Sequence, residues 1–285
     1  MNHPAELKVH QYMSDAVNGK STMSEEVIDQ VGNDVKDALR KQFGGGNQRG
    51  EFRLRMSNLG RPTCQLWFEK NKPELASPKP NNFMINMMLG DIVEAVFKGL
   101  LRGAGVKYEE PEHVSLDVDG TTISGTYDLV VDGAVDDVKS ASGWSYDNKF
   151  VNYETLREGD AFGYVSQLIG YAKAAKKKIG GWWVVNKANG KFKYVSAQNA
   201  DENYEMRKIR ATVETVKYNK FERCFEDSAE TWRGKPTGNR RLGITCGFCD
   251  YKHACWENLK ELPSVMSKAK IPPTVYYTEL TEEYA

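Results

Sequence analysis

The chain has 285 residues, 40% apolar and 27% charged, with 39 basic and 39 acidic side chains and therefore no net charge. This is enough apolar content to core one large domain or two small ones. The balance excludes a globally basic nucleic-acid binder, so any phosphate contact must come from local patches. No apolar run approaches a membrane span, and the opening "MNHPAELKVHQYMSDAV" has no apolar signal core. The expectation is a cytoplasmic protein with no membrane partner.

In chain order, "STMSEEVIDQVGNDVKDALRKQF" (21–43) reads as an amphipathic helix opened by a Thr22/Glu25 capping box. "GGGNQRGEF" (44–52) reads as a loop. Gly60-Arg61-Pro62 leads into a short helix carrying Cys64, and the Pro-rich stretch 73–80 is a linker. A strong helix is expected over 83–102, with a core face at Leu89, Ile92, Val93, Val96 and Leu100. Three strands follow, over 113–118, 121–131 and 135–140, separated by Asp119-Gly120 and Asp132-Gly133 turns. A helix over 159–178 precedes a hairpin, "GWWVVNKANGKFKYVSA", turned at Asn189-Gly190. A long charged helix (200–223), a cysteine cluster and a Pro-interrupted acidic tail complete the chain. The middle is one α/β sheet with helices against it, and the flanks read as mostly helical. The expected segments are an N-terminal helical segment (1–50), an arm carrying Cys64 (51–80), the α/β core (81–200), a helix with the cysteine cluster (201–262) and a tail (263–285).

Chemistry concentrates in the middle. Asp128 interrupts the apolar run of the second strand, and Asp137 and Lys139 stand two apart on the third, on one face. Paired strands bring Asp128 and Asp137 close, and such carboxylates repel unless one is protonated or a cation lies between them. Oxygen ligands suit Mg2+ or Mn2+, and a lysine beside them suits metal-assisted phosphodiester hydrolysis. The alternative is two turn-proximal surface carboxylates and an edge lysine. On the helix over 83–102, Met87, Gly90, Glu94, Phe97 and Leu101 share a stripe. A carboxylate on that face has to be paired, protonated or metal-bound, unless it reaches out to water from the stripe's edge. Gly90 leaves room for a close neighbour. Gln167 and Tyr171 are i,i+4 neighbours, with Tyr164 beside them. That face offers donors and rings to a nucleic-acid strand, or tyrosines half in the core. Arg61, Lys173, Lys176, Arg240 and Arg241 are candidates to track phosphates.

"TCGFCDYKHAC" (245–255) spaces Cys246, Cys249 and Cys255 as C-x2-C-x5-C. Three thiols leave a tetrahedral site one ligand short. In a reducing compartment five cysteines indicate metal or free thiols rather than disulfides.

Together, "GTYDLVV", "VDDVKSAS" and "QLIGY" resemble the PD-(D/E)XK nuclease superfamily in its RecB-like branch, recognised by Gly-x-x-Asp, Asp/Glu-x-Lys-Ser/Thr and Gln-x-x-x-Tyr. The resemblance implies a restriction-endonuclease-like α/β core, a mixed central sheet flanked by helices. Asp128, Asp137 and the Val138 carbonyl would bind Mg2+ or Mn2+, Lys139 would assist the attacking water, and Gln167 and Tyr171 would position DNA. Many relatives carry histidine where this chain has Glu94, which resembles the carboxylate variant of the site. Iron–sulfur members place one cysteine before the core and three after it. Here these would be Cys64 with Cys246, Cys249 and Cys255 around a [4Fe–4S] cluster that staples the helical flanks, with Cys224 as the spare. A four-cysteine zinc site, a local knuckle using His253, or free cysteines are the alternatives. The implied activity is exonucleolytic cleavage of single-stranded DNA ends in recombination, repair or CRISPR-type processing, in a bacterial or phage-infected cell. A homo-oligomer or DNA-processing complex is the expected assembly. The rival expectation is a non-catalytic binding subunit on a nuclease scaffold.

Overall fold

A computed structural model describes residues 3–44 and 51–281. In chain order the elements are α1 (Pro4–Val17), α2 (Glu25–Phe43), α3 (Thr63–Asn71), α4 (Phe83–Gly103), β1 (Tyr108–Glu109), β2 (His113–Val118), β3 (Thr121–Thr126), β4 (Leu129–Val131), β5 (Ala134–Ala141), α5 (Gly143–Asn148), α6 (Tyr153–Glu158), α7 (Tyr164–Ala175), β6 (Lys178–Asn186), β7 (Phe192–Ser196), α8 (Glu202–Tyr218), β8 (Ser228–Trp232), β9 (Lys235–Arg241), α9 (Ile244–Gly247), α10 (Lys252–Cys255), β10 (Lys260–Pro263) and β11 (Thr274–Glu279). They fall into two compact units, Met1–Gly60 with Pro80–Val213, and Arg61–Lys79 with Glu214–Ala285.

The first unit is built on a mixed sheet in the order β1-β4-β5-β6-β7. The β5–β6 pair is parallel and the other pairs are antiparallel. A parallel pair needs a crossover, and α7 lies within it. Helices α4 and α7 pack on β5. The core joins Phe97 and Leu101 of α4 to Leu129, Val131, Val138, Trp183 and Phe192 of the sheet, with Ala5 and Val9 of α1.

Several sequence expectations shift. Helix α1 lies in the segment expected to be helical (1–50) but was not singled out as an element. His3 Nδ1 accepts the Ala5 N–H at 3.2 Å and Pro4 opens the first turn, a cap carried by a residue outside the usual cap set. Helix α2 is capped by Ser24, whose Oγ accepts the Val27 N–H, not by Thr22. The later start places Glu25 and Glu26 in the first turn, favoured by the helix dipole. On α4 the predicted core face is only partly buried: Leu89 and Val96 are 40% and 43% exposed, Ile92 and Val93 are half-buried and Leu100 packs on the core, whereas Phe97 and Leu101 are fully buried. The stripe that carries Glu94 therefore includes the residues packed in the core.

The strand expected over 121–131 is broken at Tyr127-Asp128. Strand β3 pairs with β2, while β4 joins the main sheet. The helix expected from Gly159 starts at Tyr164. Gly163 has a φ of 75°, and both Asp160 oxygens cap the Tyr164 and Val165 N–H groups at 2.9 Å.

The C-terminal flank is not mainly helical. The second unit holds an antiparallel sheet in the order β10-β11-β9-β8. Its interior includes a polar network in which Glu230 accepts from Thr237, Asn239 and the Tyr277 hydroxyl, so "KPTGNRR" gives no apolar alternation to read. The tail contributes β11. Most of the 44–52 loop (45–50) and the acidic end of the tail (282–285) lie outside the described residues.

Candidate active site

The β4–β5 hairpin turns at Asp132-Gly133, with φ of 50° and 75°, a geometry that suits the twist of the flanking strands. Its register sets Leu129 against Asp136, so the residue before Leu129 meets the residue after Asp136. These are Asp128 and Asp137. Asp128 has left the strand ladder, and its Oδ2 accepts the Val138 N–H at 2.8 Å. Its carboxyl is within hydrogen-bonding reach of Asp137. Lys139, two residues along, puts its Nζ 2.5 Å from Asp137 Oδ2, with the two side chains only 19% and 4% exposed.

Burial pushes Asp137 up to about 8; the Lys139 charge pulls it back and Asp128 pushes it further up. Burial alone would lower Lys139, but Asp137 and Asp128 outweigh it and hold the ammonium charged. On α4, Glu94 is raised by burial and then by the Asp128 charge, opposed by Lys98, whose Nζ lies 2.5 Å from Glu94 Oε1. Lys98 went unnoticed in the sequence, although its i,i+4 spacing from Glu94 was the available signal. Gly90 lies near the same site, where an added Cβ would come 3.7 Å from Ser140 Oγ. That is ordinary contact, so no close approach requires a glycine there.

Three carboxylates thus face one partly buried region with two ammonium groups. Asp137 Oδ2 meets the Lys139 ammonium as an ion pair and makes no further hydrogen bond. Two crowded carboxylates with Glu94 beside them form an oxygen-donor set that fits a hard divalent cation. Among the described residues, no three acidic, imidazole or thiol groups are gathered onto one point as a closed metal site. The Val138 N–H is taken by Asp128, and the Val138 side chain is in the core.

On α7, Gln167 lies beside Tyr171, whose hydroxyl burial pushes up to about 12 and Gln167 draws back. Tyr171 is buried and lies against Gly125, where an added Cβ would come 2.9 Å from its ring and its hydroxyl. The glycine of Gly-x-x-Asp is thus fixed by the tyrosine of Gln-x-x-x-Tyr. Tyr164 sets its ring centroid 5.2 Å from Lys139 Nζ. Of the candidate phosphate-tracking cations, Arg61 pairs with Glu69, Lys173 with Glu202 and Arg240 with Asp227.

Asp136, between the catalytic candidates, was missed. It is buried, and its carboxylate accepts from the Gly181 N–H, Trp183 Nε1 and the Tyr194 hydroxyl. In the parallel pair, Val135 faces Ile179 and Asp137 faces Trp182. Two steps along β5 therefore oppose three along β6, and the irregularity falls at Gly180-Gly181. Asp136 holds that irregularity through Gly181, and with it the register of Asp137.

In the second unit, Cys64, Cys246, Cys249 and Cys255 line one cavity with Arg223, Lys252 and Trp256. Burial and the neighbouring Cys249 and Cys255 push Cys246 up to about 11, and burial raises Cys249. His253 is not in the lining; it lies 3.5 Å from Glu261 and edge-on to Tyr276. Cys224 is not a remote spare. Its sulfur receives the Cys64 N–H at 3.1 Å and lies 3.3 Å from the Thr63 hydroxyl. The Cys64 thiol chiefly draws it down to about 6, against burial, with Thr63 and the Cys64 N–H adding to the effect, and the Cys64 thiol is raised in turn.

A mixed sheet with a partly buried Asp–Asp–Lys constellation where β4 meets β5 defines an α/β protein whose candidate site has the groups that metal-assisted phosphodiester hydrolysis uses. The chain belongs to the PD-(D/E)XK nuclease superfamily, whose family model matches residues 9–256. No curated protein matches it. A solved structure titled "Crystal structure of SSO0001" superposes with a TM-score of 0.46 at 15% identity, covering 78% of this chain and 93% of that one. Membership of this superfamily makes a metal-dependent nuclease the class of activity and nucleic acid the class of substrate. Among the described residues, no helix is long and apolar enough to cross a membrane.

Proposed function

We propose that the chain is a metal-dependent deoxyribonuclease of the RecB-like branch, hydrolysing phosphodiester bonds at single-stranded DNA ends. The observation that carries this is the Asp128–Asp137–Lys139 cluster, in which a buried Asp137 is crowded by Asp128 and held 2.5 Å from the Lys139 ammonium. Asp128, Asp137, Glu94 and the Val138 carbonyl would hold Mg2+ or Mn2+. Bound there, the cation supplies Lewis-acid stabilisation of the phosphoryl oxygens and an acidified water. Lys139, kept charged by two carboxylates, orients the attacking water or meets charge developing on phosphate oxygen. Gln167 contacts the strand's backbone, and Tyr171 acts through Gln167 as a positioning residue.

The four cavity cysteines suit a [4Fe–4S] cluster in number and donor chemistry. Cys64 would supply the ligand from residues 61–79, and Cys246, Cys249 and Cys255 those from the C-terminal segment. Such a cluster would tie these two segments of the second unit together, beside the aromatic contacts of Phe68 with Phe221 and Tyr251.

The test is cleavage of end-labelled single-stranded DNA by anaerobically purified protein with Mg2+ or Mn2+, beside Lys139→Ala. Cutting by wild type alone is expected. Equal cutting by both would dismiss the assigned centre. Binding without cutting by folded wild type would make the chain a non-catalytic subunit.

A further inference from the structure

Beside the catalytic lysine lies a group of side chains to which the chemistry above gives no task. Phe162 is 48% exposed on the loop before α7. Its ring stacks on Tyr164 with centroids 5.7 Å apart, and Tyr164 in turn lies over Lys139. Lys149 Nζ sits 4.9 Å from the Phe162 centroid and 5.8 Å from that of Tyr164. Burial lowers the affinity of Lys149 for its proton, and among the described residues no carboxylate lies at ion-pair distance from it. The second edge of Tyr164 meets Phe150, at 5.8 Å.

An exposed phenylalanine on a loop is ordinarily mobile, but this one is held from both sides. Before it, Asp160 is fixed by capping α7 through both oxygens. After it, Gly163 adopts a φ of 75° and lies so close to Gly60 that an added Cβ would come 2.3 Å from the Gly60 Cα. The backbone thus holds an apolar ring out toward solvent, one ring away from the reacting centre and beside a cation that makes no ion pair and feels Asp160 only at longer range. A flat ring beside a cation free of any ion pair suits one repeating unit of a nucleic-acid strand, a base face and its phosphate. Bases inside a duplex are stacked on one another, so such a ring is open only to an unpaired base.

We infer that Phe162, backed by Tyr164 and flanked by Lys149, forms a subsite that stacks an unpaired nucleobase of the substrate strand and holds the adjoining phosphate next to Lys139. This rests on the nuclease reading and adds the feature that selects a single strand. Stacking is tolerant of sequence, so the subsite imposes no strong base preference.

The experiment uses the full chain with two single-stranded probes, an oligothymidylate and one whose terminal residues are abasic. Cleavage is followed for wild type, Phe162→Ala, Phe162→Tyr and Lys149→Ala. Binding is followed by anisotropy in the Lys139→Ala background, so that a chain that never cuts still reports on stacking. Phe162→Ala should weaken oligothymidylate binding and raise its KM by about tenfold, and leave the abasic probe unaffected. Phe162→Tyr should restore the thymidylate value. Lys149→Ala should weaken both probes alike and reduce the salt dependence by about one counterion. An unchanged KM and affinity in Phe162→Ala, or equal losses on the two probes, would overturn the inference. Absence of cleavage by wild type with base-dependent binding intact would instead count against the nuclease reading and leave the subsite standing.

Discussion

Replacing Asp136 by alanine should destabilise the first unit more than its distance from solvent chemistry suggests. Its carboxylate accepts from the Gly181 N–H at 2.8 Å, the Tyr194 hydroxyl at 2.8 Å and Trp183 Nε1 at 3.0 Å. Each buried donor left without a partner costs about 1–3 kcal/mol. The Tyr194 hydroxyl can rotate toward another acceptor. The Gly181 N–H and Trp183 Nε1 cannot, because Trp183 is wholly buried and Gly181 is in the ladder between β5 and β7. Two stranded donors give a loss of roughly 2–6 kcal/mol, a large fraction of an ordinary domain's stability. Tyr194→Phe removes one donor and leaves the acceptor with two others, so about 1 kcal/mol is expected there. Urea unfolding followed by tryptophan fluorescence measures both. Because the same bonds set the irregularity that places Asp137, cleavage should fall in Asp136→Ala even at temperatures where it is folded. A stability loss below about 1 kcal/mol, or full activity in the folded variant, would refute this reasoning.

Gly125→Ala should cost about 1–3 kcal/mol of stability, because its methyl would press on the Tyr171 ring and on Met56 Cβ; thermal melts that match wild type would remove the Tyr171 explanation of this glycine. Burial lowers the His3 proton affinity, and the cap it provides needs a neutral Nδ1 accepting the Ala5 N–H. Its contribution is therefore present above its ordinary titration range and lost as pH falls through the lowered value; the protection factors of the α1 amides, with intrinsic exchange divided out, should fall on acidification below the ordinary histidine range in wild type and much less in His3→Asn. Cys64→Ser and Cys246→Ser should each lose most bound iron and acid-labile sulfide, while Cys224→Ser keeps them; iron loss confined to Cys224→Ser would exchange Cys224 for Cys64 as the ligand. Asp128→Ala should abolish cleavage while keeping the fold, read by nuclease assay beside circular dichroism.

The strand that carries Asp137 and Lys139 was legible because its signals are local. Asp137 and Lys139 share a face by the two-residue period of a strand, and Asp132-Gly133 announces the hairpin that brings Asp128 opposite. What the sequence concealed depends on contacts between distant segments. Asp128 looked like an odd residue inside one strand, yet the strand breaks there because its carboxylate caps the Val138 N–H across the hairpin. On α4, two apolar stripes compete, and periodicity alone favoured the one with more branched residues. The sheet buries the other, because Phe97 and Leu101 meet Leu129, Val138 and Trp183. The C-terminal sheet was invisible because Glu230, Thr237 and Asn239 hold it with hydrogen bonds where apolar alternation was the signal sought. The same logic explains why Phe162 passed unnoticed. A lone aromatic between two loop glycines carries no pattern, and its meaning comes from Gly60, about a hundred positions earlier, and from Lys139 on another element. A motif names the groups that react. The residues that hold those groups in register and present a surface to the substrate are fixed only by the packing around them, and in this chain Asp136 and Phe162 are the two whose substitution separates the one role from the other.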